Sequence, residues 1–281
     1  MFSFFTEILQ KNHIDCFAPI PLSECKVVRP YLLERCGISN GTVIMLAVPY
    51  FTEACLDPSR NLSAYAVSRD YHLFFKELWN NILPQLHEHF PSHRFEGFAD
   101  HSPIAECDAA ARAGLGVIGK NHLLLTERYS SYIFLGEIIT DAEFPCKTQQ
   151  ISECEGCGAC MRACPAERYG GCFSSITQKK GELTDTESKM ILEQRIAWGC
   201  DLCQETCPHT KRAIEKRTIF SPIPFFSEKP ISRLTGERLS AMSDEEFSSR
   251  AFSWRGRETL MRNLKILEGN EQRKETLTCS S

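Results

Sequence analysis

Residues 154–172 read CEGCGACMRACPAERYGGC, which gathers five of the chain's fifteen cysteines into one short stretch. The order is Cys154-x2-Cys157-x2-Cys160-x3-Cys164-Pro165, and Cys172 closes the stretch. A tight loop with two residues between thiols can wrap three corners of one small metal cluster. The fourth thiolate must then come from elsewhere. Gly156 and Gly158 let the backbone turn closely and aim N–H dipoles at an anionic centre.

The fourth corner is supplied downstream, where GCDLCQETCP carries Cys200, Cys203 and Cys207-Pro208. The first run has the spacing of bacterial two-cluster ferredoxins, in which the cysteine before proline ligates the other cluster. One [4Fe–4S] cluster then takes Cys154, Cys157, Cys160 and Cys207. The other takes Cys164, Cys172, Cys200 and Cys203. Zinc is the competing occupant, because CxxC loops also hold zinc. Zinc sites rarely use three cysteines at this spacing followed by Cys-Pro. The remaining cysteines, at positions 16, 25, 36, 55, 107, 146 and 279, have no ligand spacing and read as buried or surface thiols.

The chain has 281 residues and a formal net charge of −4, so as a whole it is not a basic nucleic-acid binder. No segment approaches the roughly 20 continuous apolar residues of a membrane span. The first residues, MFSFFTEILQKNHIDC, read as an amphipathic helix rather than a secretory leader. The expected location is the cytoplasm, where clustered cysteines point to metal or catalysis rather than to disulfides.

Working outward, the expected fold class is α+β in three blocks. Residues 1–145 read as an α/β domain, 146–222 as a ferredoxin-like module, and 223–281 as a helical tail. Leu22 to Cys36 suits a helix ending at Gly37, and TVIMLAVPY (42–50) a buried strand. Tyr71, Phe74, Phe75, Leu78, Ile82 and Leu86 recur at helical spacing, with Pro84 near the end. HRFEGFAD (93–100) reads as a strand. Ser102 suits an N-cap with Pro103 at the first helical position, before a helix ending at Gly114. HLLLTE (122–127) and SYIFLGEIIT (131–140) look like a hairpin. RETLMRNLKILEG (257–269) is helical, and the last dozen residues lack an apolar period.

A ferredoxin module leaves the upstream block unexplained. That block contains GLGVIGK, whose glycine density lets backbone approach a ligand. Here D-x-x-P-x-x-E, A-x-x-A-G-L-G-x-x-G-K-N and F-L-G-E precede the clusters, and G-C-D-x-C-Q-x-x-C-P follows, in one order from about Ser68 to Asn263. This combination resembles the epoxyqueuosine reductase family, corrinoid iron–sulfur enzymes related to reductive dehalogenases. The resemblance implies cobalamin in the α/β domain beside two [4Fe–4S] clusters. It implies reduction of epoxyqueuosine in tRNA to queuosine, with an external electron donor such as a ferredoxin or flavodoxin.

The resemblance also assigns residues. Asp100 matches the family's aspartate acid, and such an acid should be partly buried with a raised pKa. Gly114, Gly116, Gly119, Lys120 and Asn121 would line the corrinoid. Glu106 and Glu137 match family positions without an assigned chemistry. DYHLFF (70–75) is similar to a D-x-H-x-x-G cobalt-binding motif, but Phe75 stands at the glycine, so His72 reads as a helix or pocket residue. Two basic groups could contact phosphate: Lys211, Arg212, Lys216 and Arg217, and Arg255, Arg257, Arg262 and Lys265. The alternatives are a dehalogenase-like corrinoid reductase acting on a small molecule, and a ferredoxin-type carrier serving a corrinoid partner.

Overall fold

The computed structural model describes residues 2–278, with side chains described through Gly269. Cys279 therefore lies outside the described residues. The chain divides into two units, each assembled from three segments. One comprises Met1–Tyr50, Tyr71–Cys157 and Pro208–Pro224; the other comprises Phe51–Asp70, Gly158–Cys207 and Phe225–Ser281. The three consecutive blocks read from composition do not coincide with these units. Composition averages neighbours in sequence, whereas residues 51–70 pack with the C-terminal segments of the second unit.

The first unit runs α1 (Phe2–Lys11), β1 (Phe17–Pro21), α2 (Pro30–Cys36), β2 (Thr42–Pro49), α3 (Tyr71–His89), β3 (Phe95–Phe98), α4 (Glu106–Arg112), β4 (Val117–Ile118), β5 (Leu124–Leu125) and β6 (Ile133–Thr140). Its sheet is antiparallel with strand order β1-β2-β6-β3. Every residue of β2 is buried, as its unbroken apolar run requires. Phe74, Phe75, Leu78, Ile82 and Leu86 form the buried stripe of α3. Each such side chain contributes about 1.5–3 kcal/mol of burial. Phe75 occupies the room left by Gly136 of β6: a Cβ there would come within 2.4 Å of its ring. The aromatic at that position is thus a packing residue.

Two expected elements differ. The Leu22–Cys36 helix begins only at Pro30, after a short 3-10 turn at Leu22–Glu24. Arg29 precedes proline, whose ring disfavours helical backbone before it, and its φ is −135°. The 122–127/131–140 hairpin does not form. A local turn does close, with Thr126 and Ser130 exchanging backbone bonds of 3.0 and 3.1 Å. The strands then part: β5 pairs with β4, while β6 enters the main sheet between β2 and β3. A strand as apolar as β6 gains more from two partners than from one.

The second unit holds α5 (Ala159–Ala163), α6 (Phe173–Thr177), α7 (Asp185–Gln194) and α8 (Leu202–Glu205). After α9 (Pro208–Glu215), which belongs to the first unit, come α10 (Gly236–Ala241), α11 (Asp244–Ser248) and α12 (Arg257–Thr278). Trp198, Leu234, Leu239, Phe252 and Leu260 form its larger core, and Phe173, Met190 and Ile191 a smaller one. Thr184 and Glu187 cap α7 reciprocally, at 3.2 and 2.8 Å. Asn263, fully buried on α12, donates from Nδ2 to the carbonyls of Thr177 and Ala197 at 2.7 and 2.8 Å. Among the described residues, no helix is long and apolar enough to cross a membrane.

Asn263→Ala strands both carbonyls in the interior. We expect a loss of about 3 kcal/mol of unfolding free energy in urea, with the midpoint displaced and the slope unchanged.

Candidate functional site

The second unit contains one of the two thiol sets complete. Cys164 ends α5, Cys172 precedes α6, and Cys200 and Cys203 flank the start of α8. Cys164 and Cys203 both lie close enough to Cys200 to raise its pKa by charge, behind the larger effect of burial. The Leu202 N–H points at Cys200 Sγ from 3.4 Å, the kind of contact that stabilises a thiolate. Cys172 is exposed. The other set is divided, with Cys154 and Cys157 in the first unit and Cys160 and Cys207 in the second. Among the described residues, no three His, Cys, Asp or Glu side chains gather tightly enough for a single metal ion. A cubane makes a looser demand, since each thiolate binds a different iron.

What holds the Cys200–Cys203 loop is a residue that spacing analysis passed over. Asp201 is 2% exposed and accepts from Arg60 at 2.7 Å, Ser63 Oγ at 2.5 Å, the Ala64 N–H at 2.6 Å and Gln204 Nε2 at 3.0 Å. Its aspartate is visible in GCDLC, but three of its four partners lie 137 to 141 positions away in sequence and gave no signal. Among the described residues, the thiols outside the two sets, Cys16, Cys25, Cys36, Cys55, Cys107 and Cys146, are free, and Cys25 and Cys55 are buried. Burial pushes Cys25 up to about 12 and also raises Cys55, which keeps both protonated.

The glycine-rich turn is filled by protein. A Cβ on Gly114 would lie 2.6 Å from Gln149 Nε2, one on Gly116 2.3 Å from the Leu125 carbonyl, and one on Gly119 2.4 Å from Asn121 Oδ1. These glycines let β4 lie close to β5 and to the strand-like segment at 152–154. They do not form an open cradle for a corrinoid within this unit. Lys120 reaches the cysteine run instead: a Cβ on Gly156 would meet its Cε at 3.5 Å and its Nζ at 3.8 Å. A cation there faces the loop of Cys154 and Cys157.

Asp100 departs from expectation. Its side chain is 66% exposed, its φ is +64°, and its carboxyl pKa is lowered. The main cause is His72 at the start of α3, whose Nε2 lies 3.5 Å from Asp100 Oδ2. His72 is a pocket residue, lining a cavity of about 350 Å³ with Phe75, Trp79, Gly97 and His101. Ser102 is not an N-cap, since α4 begins only at Glu106. Its hydroxyl accepts from the Ile104 N–H at 3.1 Å and donates to Glu137.

In the first unit the raised carboxyls described are Glu106 and Glu137; burial also raises Glu205 in the second unit. Glu137 sits mid-sheet on β6, fully buried, opposite Met45 and Phe98. Burial raises it well above the carboxylate range, and the neighbouring Glu106 adds to this. Glu106 is pushed up to about 7, chiefly by burial. Its Oε1 accepts the Asp100 N–H at 3.2 Å. The family match named both glutamates; only their through-space pairing explains them.

Two of the expected phosphate-binding arginines are structural. Arg257 donates to the carbonyls of Leu239 at 2.7 Å and Met242 at 2.8 Å, and Arg262 to those of Lys179 at 2.7 Å and Gly181. Arg255 stacks on Trp254 at 3.7 Å, and Lys265 is exposed. On α9 and just after it, Lys211, Arg212, Lys216 and Arg217 are exposed.

No protein-family model matches the chain. Solved structures do match its fold. An epoxyqueuosine reductase from Streptococcus thermophilus aligns with TM-score 0.76 and 22% identity, over 95% of this chain and 80% of the other. An epoxyqueuosine reductase solved with an epoxyqueuosine-modified tRNA-Tyr stem loop aligns with TM-score 0.74 and 22% identity, over 94% and 80%. The fold is thus the mixed α+β architecture of these reductases.

Sequence carries the assignment further. An epoxyqueuosine reductase of Gloeobacter violaceus is 32% identical over 222 residues, 73% of this chain and 68% of its own length. One from Listeria monocytogenes is 31% identical over 210 residues, 70% of this chain and 54% of its own. The chain belongs to the epoxyqueuosine reductase family, and it spans about half to two thirds of the length of these relatives.

The paired glutamates make stability depend on pH. The folded pair keeps protons that the unfolded chain releases from about 4.5 upward, so stability falls as pH rises through about 7. Glu137→Gln should flatten that decline in urea titrations, leaving the acid limb below about 4 unchanged.

Proposed function

We propose that this chain reduces the epoxide of epoxyqueuosine in tRNA to the alkene of queuosine, in the cytoplasm. Each turnover consumes two electrons and two protons and releases the oxygen as water. The observation that carries the reading is the thiol set of the second unit. Cys164, which precedes a proline and belongs in sequence to the first run, packs against the same small core as Cys200 and acts on it by charge, as Cys203 does. That exchange is what two adjacent [4Fe–4S] clusters need. Family membership supports the substrate, as does the solved relative with its modified stem loop.

Bound clusters would pass single electrons inward from an external ferredoxin or flavodoxin. Cys164, Cys172, Cys200 and Cys203 would hold one, with Asp201 and Arg60 fixing the loop and the Leu202 N–H stabilising a thiolate. Cys154, Cys157, Cys160 and Cys207 would hold the other, and Lys120 would offset its negative charge. The cobalamin implied by the resemblance belongs to the proposal, but the Gly114–Asn121 turn is packed against protein, so no step is assigned to those residues.

Asp100 would donate the proton to the leaving oxygen. Because His72 favours its ionised form, the pair must be charged with a proton before each turnover, and exposure gives solvent access for that. Lys211, Arg212 and Lys216 on the outer face of α9 would meet RNA phosphate, making binding weaken with salt.

Anaerobic purification should give about eight irons per chain, and Cys164→Ser about four. A wild-type protein with one zinc per set would end the cluster reading. Asp100→Asn should keep iron and cobalamin, the latter seen by its visible spectrum, and lose about a hundredfold or more in turnover on epoxyqueuosine tRNA. Undiminished turnover would remove its acid role.

A further inference from the structure

The loop bearing Asp100 is held from beneath by two carboxyls that no step above uses. Glu106 Oε1 accepts the Asp100 N–H at 3.2 Å, and Glu137 accepts from Ser102 Oγ, which in turn accepts from the Ile104 N–H at 3.1 Å. Arg29 adds one bond from outside, to the Ser102 carbonyl at 2.7 Å. The far end of the loop is also tied to residues 26–29, where the Val28 and Arg29 N–H groups donate to the Pro103 carbonyl at 2.8 and 3.0 Å and the Ala105 N–H to the Lys26 carbonyl at 2.9 Å, whereas Asp100 is a non-glycine residue at φ +64° and largely exposed. The backbone conformation at Asp100 thus depends on neighbours holding it.

Glu137 Oε2 is buried and has no hydrogen-bond partner in the arrangement shown, although the Glu106 carboxyl interacts with Glu137 directly. A proton held between the two carboxyls supplies the donor that this oxygen lacks. Two ionised carboxylates could not stay together in that site. The surrounding groups do not supply a substitute cation at Glu137. Arg29 acts on Glu106 and Asp100; His72 and His101 act on Asp100; Asp108 and Asp100 are acidic; the nearby thiols are Cys25 and Cys107.

We propose that Glu106 and Glu137 form a proton-operated latch on the Asp100 loop. While the pair keeps a proton, the Asp100 amide and the Ser102 hydroxyl are held and the loop is docked. When the proton leaves, the two carboxylates repel each other and separate, and the Asp100 end of the loop is released while residues 103–105 stay bonded to the 26–29 segment. Both are positioning residues. The latch is read from the hydrogen bonds and stands without the acid role of Asp100; its effect on turnover rests on that role.

The test is amide hydrogen exchange at Asp100 and Ile104 in the cluster-loaded protein under anaerobic conditions, corrected for intrinsic base catalysis. Protection should fall at least about tenfold as pH rises from about 6 to about 9, the equilibrium factor that one pH unit past a titration delivers. Glu137→Gln, whose amide is a permanent donor to Glu106 and an acceptor for Ser102, should hold protection constant over that range. Glu106→Gln, nearer the surface and less exposed to a folding defect, should do the same. A wild-type profile without the fall, or variants that fall as the wild type does, would overturn the latch. Asp100→Asn keeps the amide N–H and should keep the wild-type profile. Full turnover by that variant would remove the acid reading and leave the latch standing.

Discussion

A carboxylate taken out of water must find either positive partners or a proton, and this fold contains both solutions. Asp201 finds partners. Arg60, Ser63, the Ala64 N–H and Gln204 surround it, tying residues 51–70 to the loop of Cys200 and Cys203. Removing the arginine alone would leave a buried charge without its counter-cation, which is far costlier than never having the pair. Glu137 finds no cation. It sits in the middle of a sheet, between β2 and β3, and its neighbour is another carboxyl. The proton is therefore part of the structure there, as the arginine is at Asp201.

The two solutions suit two tasks. The loop of Cys200 and Cys203 is held by a fully paired carboxylate with four donors, an arrangement that stays constant as pH changes. The Asp100 loop is held instead by carboxyls, one of them pushed up to about 7, whose charge changes near neutrality. Lys120 extends the first theme, since its exposed side chain lies against the turn at Gly156. Arg257 and Arg262 extend it further by spending their donors on carbonyls of the second unit. That leaves the cations of α9 exposed, with their side chains at the surface.

Several elements were legible because the cause is local. The all-apolar run of β2, the stripe of α3 and the N-terminal helix are written in residue order, and the structure has them. The expected hairpin was misread because its turn is local but its strand partners are not. Ser102 was misread for a related reason: N-cap chemistry and a turn hydrogen bond use the same hydroxyl, and a buried glutamate on a distant strand decided between them. The raised carboxyl was expected at Asp100 and is found at Glu106 and Glu137, because burial is a property of the folded chain.

The thiol spacings, the apolar periods and the motif order that define the family are written in residue order, since each depends on residues close together in the chain. Tertiary structure alone decided which carboxyl keeps a proton, which arginines remain available and what the glycines of the 114–121 turn lie against. Those outcomes depend on distance, desolvation and competing donors, and none of these is fixed until remote segments meet.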